Sequence, residues 1–305
     1  MLFPNHPRAA ARLSQSLLLS ALAALLLCAT PLSAQPPSPP TSQLLLGRTA
    51  QQWAIAASAA ERPIILDDAP YMRYHLLTRN DRGADLRDNL ESRDGTVARL
   101  ISRNGRPLTA AEDAAERARL QHLLDHPSDF YRHHRNDRQS RDRAASLMRQ
   151  LPSAMLFAFA PDQTPTPGSP APQVVIDYRP DPAYSPPDMA SQALRGITGR
   201  IWIDSSNSHI LRMHADISGD LNFGWGILAH IYRGGSVDLD QVDAGPRWLF
   251  SRLDEHVTMR ALLVKTVRLN ILQSTGTYSA VPPMSFQDAI RALLSTPLPT
   301  HCPCD

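Results

Sequence analysis

The sequence predicts an α+β fold: a single curved antiparallel β-sheet of about ten or eleven strands with helices on its concave face. Three observations predict it. Long stretches alternate apolar and polar residues in twos, the period of a half-buried strand. Turn residues separate these stretches at hairpin spacing. Helix-forming stretches occur before and between the strands, where they can cover the apolar face that one-sided strands have to bury.

Residues 1–34 read as a secretory signal. Arg8 and Arg12 precede an apolar run at 17–29, followed by Pro31 and the small pair Ser33 and Ala34. That is the charged, apolar, small-residue order of an exported chain. The run is short for a bilayer span, and Leu27 precedes Cys28 where a lipidation site needs a small residue. The mature chain is therefore expected to start near Gln35, in the periplasm or secreted, without a lipid anchor and not spanning the membrane. Residues 35–48 read as a flexible linker, stiffened by prolines at 36–40. Residues 49–296 read as one folded domain with a helical insertion at 109–150, and 297–305 as a flexible tail. The insertion carries too little apolar surface to fold alone.

The net charge of +2 implies no general attraction to nucleic acid or anionic membranes. After signal removal only Cys302 and Cys304 remain, too few and too peripheral for a disulfide framework. Lys265 is the sole lysine among 31 basic residues.

Taken in order, alanine-rich residues 49–60 predict a helix stopped by Pro63. Residues 71–79, 86–93 and 96–103 predict three strands, the last two joined by the hairpin signal Asp94-Gly95. Thr109 followed by Glu112 is a capping box, opening a helix that runs to Asp125. Pro127 interrupts, and a second helix follows at 129–150. Residues 155–160 and 174–179 return to strand, flanking a proline-rich loop at 161–172 that is expected to be exposed and mobile.

A long meander at 194–273 comes next. Leu211, Met213, Ala215 and Ile217 alternate with Arg212, His214, Asp216 and Ser218. Leu221, Phe223, Trp225, Ile227, Ala229 and Ile231 continue the pattern as one unusually long strand. Residues 248–257 and 261–273 supply the last strands, and 286–294 a closing helix.

The unit Gly199-Arg200-Ile201-Trp202-Ile203-Asp204, a turn, and then His209 to His214 resembles a hairpin of LolA-like proteins. These include the periplasmic lipoprotein carrier, its outer-membrane receptor and related envelope-stress regulators. The order of signal, alanine-rich helix, strands, inserted helices and meander matches over nearly the whole mature chain. Residues 92–112 and 178–235 are similar to uncharacterised exported bacterial proteins of the same layout. The resemblance implies an incomplete antiparallel β-barrel wrapped around helices, with a cavity that holds acyl chains. The insertion and the proline-rich loop exceed what a minimal carrier needs.

Chemical motifs point away from an enzyme. There is no Gly-x-Ser-x-Gly elbow, His-Glu-x-x-His, Walker loop or Gly-x-Gly-x-x-Gly. No catalytic residue, metal or cofactor is assigned. His122, His126, His133 and His134 are interleaved with arginines and read as a solvated helix face. The acids Asp129, Asp137 and Asp142 dilute the basic segment 129–143, so no nucleic acid is expected to bind. Asp67-Asp68 and Asp254-Glu255 are adjacent on strands and point to opposite faces, so neither is a catalytic dyad. The His301-Cys302-Pro303-Cys304 tail offers soft ligands on a frayed end.

The candidate ligand-binding set is Leu211, Met213, Phe223, Trp225, Ile227 and Lys265. Phe223-Gly224-Trp225-Gly226 either fills space where a helix crosses the sheet or lines a cavity. Lys265 falls in phase with Leu263, Val267, Leu269 and Ile271. Its ammonium must snorkel to the rim, pair with a carboxylate or meet an anionic head group. The leading expectation is a carrier or sensor of lipid or lipoprotein acyl chains in the cell envelope. The alternative is a structural or protein-interaction module with a filled core that binds an envelope partner. A hydrolase with a scattered site ranks last.

Overall fold

The computed structural model describes residues 44–66, 70–167, 169–223, 229–261 and 265–299. The signal segment, Cys28, residues 35–43 of the linker, Asp67, Asp68, Trp225, Ile227, Leu263, Cys302 and Cys304 lie outside the described residues.

The described chain begins with helix α1 (Ala50–Leu66) and strands β1 (Met72–Asn80), β2 (Gly83–Ser92), β3 (Gly95–Arg103) and β4 (Arg106–Pro107). Helices α2 (Ala110–Asp125) and α3 (Pro127–Ala154) follow, then β5 (Met155–Phe159), β6 (Gln173–Pro180) and a 3-10 turn at Ser191–Gly196. Strands β7 (Ile197–Asp204), β8 (Ile210–Ile217), β9 (Leu221–Phe223), β10 (Ala229–Ile231), β11 (Ser236–Asp243), β12 (Trp248–Ala261) and β13 (Lys265–Ala280) precede α4 (Phe286–Ser295).

The strands form one mostly antiparallel sheet, hydrogen-bonded in the order β4-β3-β2-β1-β13-β12-β11-β8-β7-β6-β5 and not closed into a barrel. Off this path, β10 pairs with β12 and β9. Among the described residues there are thirteen strands, where about ten or eleven are expected from the alternation of apolar residues. One reason is that residues 221–232 are not a single strand. β9 and β10 pair with each other, Leu221 opposite Ile231 and Phe223 opposite Ala229, so the chain reverses between them. Opposed residues share a face. The two arms of this hairpin therefore keep the same odd-numbered apolar parity as one long strand would.

The helix expected to stop at Pro63 continues to Leu66. Proline forfeits one helix hydrogen bond, but Pro63 is exposed. The preceding turn is fixed by Glu61, whose carboxylate accepts the Ile210 main-chain N–H at 2.8 Å.

Contacts cluster the chain into two compact units. The first takes in the described residues within 44–65, 140–237 and 256–269. In it, β5 to β8 pair in sequence order. Val174, Ile176, Tyr178, Ile201, Ile203 and Ile210 form a buried cluster with Trp53, Ala54 and Ala57 of α1 and Leu151 and Ala154 of α3. Gly199 lies opposite Tyr178 and Ala215. A Cβ there would strike the His214 carbonyl oxygen and come within 2.7 Å of the Tyr178 hydroxyl. Its absence lets that hydroxyl donate to the His214 carbonyl at 2.9 Å. Gly199→Ala is expected to destabilise the protein by about 3 kcal/mol, the upper range for overpacking against main chain. Tyr178→Phe, which loses only the hydrogen bond, should cost about 1 kcal/mol. Urea unfolding of both variants checks the ratio.

The loop at 161–172 is exposed, as expected, but it is tethered. Asp162 pairs with Arg200 at 3.1 Å, and the Trp202 indole N–H donates to the Thr164 carbonyl at 2.9 Å. The Gln163 side-chain amide bonds both the N–H and the carbonyl of Val175. Polar side chains thus supply anchors that a search for core-forming residues passes over.

The second unit takes in the described residues within 66–139, 238–255 and 270–299. Here β4 to β1 pair in order, and β1 pairs with residues 271–280 of β13. Leu90 and Val97 pack under Leu120 of α2, Phe130 of α3 and Phe286, Ala289, Ile290 and Leu293 of α4. The capping box forms: the Thr109 hydroxyl accepts the Glu112 N–H, and the Glu112 carboxylate accepts the Thr109 N–H at 2.9 Å. Hydrogen bonds from Arg106, then from the Thr109 N–H, hold the Glu112 carboxyl well below the usual carboxylate range.

Candidate functional site

The apolar face read from the sequence is assembled mainly in the first unit. Met213 lies on β8 opposite Ile201 and packs against the cluster built by Trp53 and the β6–β8 side chains. Leu211 is buried on the same strand, next to buried Ile210. Two consecutive buried residues are possible because the β7–β8 register shifts between Trp202 and Ile203. Phe223 ends β9, and Trp225 and Ile227 lie outside the described residues. Lys265 begins β13 and is exposed, whereas Val267 is half-buried and Leu269 and Ile271 are buried. Its ammonium reaches water at the strand end, which meets its solvation requirement.

A buried carboxylate that the sequence reading passed over faces the same cluster. Glu61 is 2% exposed. Besides the Ile210 N–H it meets His209 Nδ1 at 3.3 Å. On the same helix, the Ser58 hydroxyl donates to the Met148 carbonyl at 2.7 Å. These contacts dock α1 on the β7–β8 hairpin and on α3 with directional bonds, in addition to alanine packing. The signal was present in the sequence: Trp53, Ala57 and Glu61 fall at i, i+4 and i+8, on one helix face.

The second unit has a polar interior. Glu91 accepts the Met72 N–H at 2.8 Å and pairs with Arg247. Tyr74 lies close by. Burial, then the Glu91 charge, push its hydroxyl up to about 12, partly offset by a hydrogen bond from Asn89. The Tyr74 and Tyr278 rings are 6.4 Å apart. The Thr275 hydroxyl bonds the Tyr278 hydroxyl at 2.5 Å and the Phe250 carbonyl. Between Tyr74, Leu249, Phe250, Thr275 and Tyr278 lies a cavity of about 20 Å³, room for one water molecule. Hydroxyls that bond one another and a carbonyl form a structural relay. On β12, burial and then the neighbouring Asp254 charge raise the Glu255 carboxyl to about 7.

The helical histidines have specific partners. His122 Nε2 meets Asp129 at 3.2 Å. His134 is stacked on Phe130, with its ring nitrogens facing the carbonyls of Phe130 and Thr96. Among the described residues, no group of three or more His, Cys, Asp or Glu is arranged to hold a metal ion. No described helix is long and apolar enough to cross a membrane. Compared with known proteins, the chain matches no family model, no curated protein and no solved structure.

Proposed function

We propose that this protein is a non-catalytic interaction module of the cell envelope, LolA-like in layout, whose core is filled by its own helices. The observation that carries the reading is the packing of α1. Trp53, Ala54 and Ala57 occupy the apolar side of β6–β8 together with Leu151 and Ala154, where an acyl chain would otherwise lie. Export is supported by the charged, apolar, small-residue order of residues 1–34.

A second reading, the hydrophobic carrier, retains one favourable observation. Apart from Trp53, the buried face of α1 is made of small side chains and Glu61, so displacing it would uncover a broad apolar surface at modest loss of side-chain packing. Lipid content separates the two readings. Mature protein purified without detergent is expected to yield no stoichiometric lipid on denaturing extraction and no saturable uptake of a fluorescent fatty acid. Stoichiometric lipid, or saturable uptake, would replace the filled-core module with the carrier.

A further inference from the structure

The sheet ends in two edge strands that differ in how they are protected. β4 is two residues long and consists of Arg106 and Pro107. Brevity, charge and proline are the usual guards against strand addition. β5 is Met-Leu-Phe-Ala-Phe, with no charge and no proline.

The register of β5 shows which main-chain groups are open. Ala160 donates its N–H to the Val175 carbonyl, and Ala158 and Leu156 lie opposite Asp177 and Arg179. In an antiparallel pair these alternate residues turn their N–H and C=O toward the partner strand. Phe157 and Phe159 therefore turn theirs away from β6. Among the described residues, no hydrogen bond reaches those outward groups. Where β5 stops, by contrast, the Gln163 amide takes over and bonds both main-chain groups of Val175. The fold caps the edge of β6 with Gln163, whereas the outward main-chain groups of Phe157 and Phe159, whose neighbours Leu156 and Ala158 are exposed, have no partner among the described residues.

We propose that β5 is an interface through which two copies of this chain pair, antiparallel and edge to edge, about a two-fold axis at Phe157. The strand suits a second copy of itself. Phe157 is its midpoint and carries outward main-chain groups, so the axis pairs Phe157 with its own copy in a doubly hydrogen-bonded position. Leu156, Phe157 and Ala158 then find partners in register, and the Phe159 N–H faces the carbonyl side of Met155, which is itself 2% exposed. On the outer face, Leu156, 37% exposed, stands opposite the small Ala158 of the second copy. The β6 residues flanking this row are Arg179 beside Leu156 and Asp177, held by Arg200 at 2.6 Å, beside Ala158, so the pairing brings no like charges together. The inference is independent of what fills the core, because β5 offers main chain and outer-face side chains only.

Sedimentation velocity of the mature chain over a concentration series is expected to show a monomer passing to a species of twice its mass. Amide exchange at Phe157 and Phe159 should slow about tenfold over the same series. Leu156→Glu with Ala158→Glu sets like charges across the axis and should leave a monomer. Leu156→Lys with Ala158→Glu sets opposite charges there and should restore the dimer. Both pairs alter exposed side chains; if either failed to fold, concentration-dependent exchange in the unaltered chain would decide. A chain monomeric throughout, a dimer indifferent to the charge pairs, or Phe157 and Phe159 protected only by an added extended peptide would each overturn self-pairing.

Discussion

Arg99→Ala is expected to destabilise the protein by about 3–5 kcal/mol, the range for removing one member of a buried charged network. Arg99 is 1% exposed, on β3. One guanidinium nitrogen donates to the carbonyls of Leu293 and, at 2.6 Å, Thr296. The other donates to Asp113 at 3.0 Å. The two carbonyls lie in and just beyond the last turn of α4, where helix carbonyls lack helical partners and where positive charge is favoured. Asp113 sits in the first turn of α2, where negative charge is favoured. One side chain of the sheet therefore completes the ends of the two helices that cover it.

Truncation would leave both carbonyls without their donor and open a void where the buried side chain lies. Asp113 would lose less, because Arg117 holds it at 2.8 Å. Asp113→Asn should accordingly cost only about 1 kcal/mol. Arg99→Lys keeps the charge but cannot bond three acceptors in the same planar geometry, so most of the loss should persist. Urea unfolding of the three variants gives the comparison. A cost below about 1 kcal/mol for Arg99→Ala would mean that water replaces the guanidinium at the end of α4.

Arg99 also shows why some of the fold was legible in the sequence and some was not. The features read correctly carry local signals. Thr109 and Glu112 are three residues apart and form the capping box themselves. Asp94-Gly95 makes its hairpin because Gly95 adopts φ 132°, which few other residues tolerate. Arg99 and Leu293 are 194 residues apart, and nothing near Arg99 in the sequence distinguishes it from a solvated strand arginine. Glu61 stood in plain helical phase with Trp53 and Ala57, but a carboxylate is seldom buried without partners. Its partners, Ile210 and His209, are supplied by a distant hairpin.

The misreading of residues 221–232 has a different origin. Alternation reports which face a side chain takes and says nothing about chain direction, and a hairpin whose paired residues share parity looks like one long strand. Of the candidate ligand set, Phe223 ends β9, and Trp225 and Ile227 lie outside the described residues. Met213 packs against core residues supplied by four strands, β5 to β8, and two helices, α1 and α3.

Trp53→Ala is expected to cost about 3–5 kcal/mol, as large-to-small changes of buried tryptophan do, and to change what the core can admit. Trp53 is 2% exposed. Its indole N–H donates to the Leu45 carbonyl at 3.0 Å, and the Arg48 guanidinium lies 4.6 Å from the ring centroid. The ring thus ties the segment before α1 to the helix while filling the space over β6–β8. Trp53→Phe retains an aromatic ring and loses the N–H bond and some volume, so it should cost far less than the alanine change. In the alanine variant the vacated volume is lined by apolar side chains such as Ile176, Ile201 and Ile203, and such cavities stay dry and accept small apolar molecules. With a filled core, the unsubstituted chain should ignore benzene-sized probes while the alanine variant is stabilised by them, read as a rise in Tm with probe concentration. If the unsubstituted chain takes up a fatty acid and Trp53→Ala weakens that uptake, the indole lines a ligand site, and α1 is then the element that moves to admit the acyl chain.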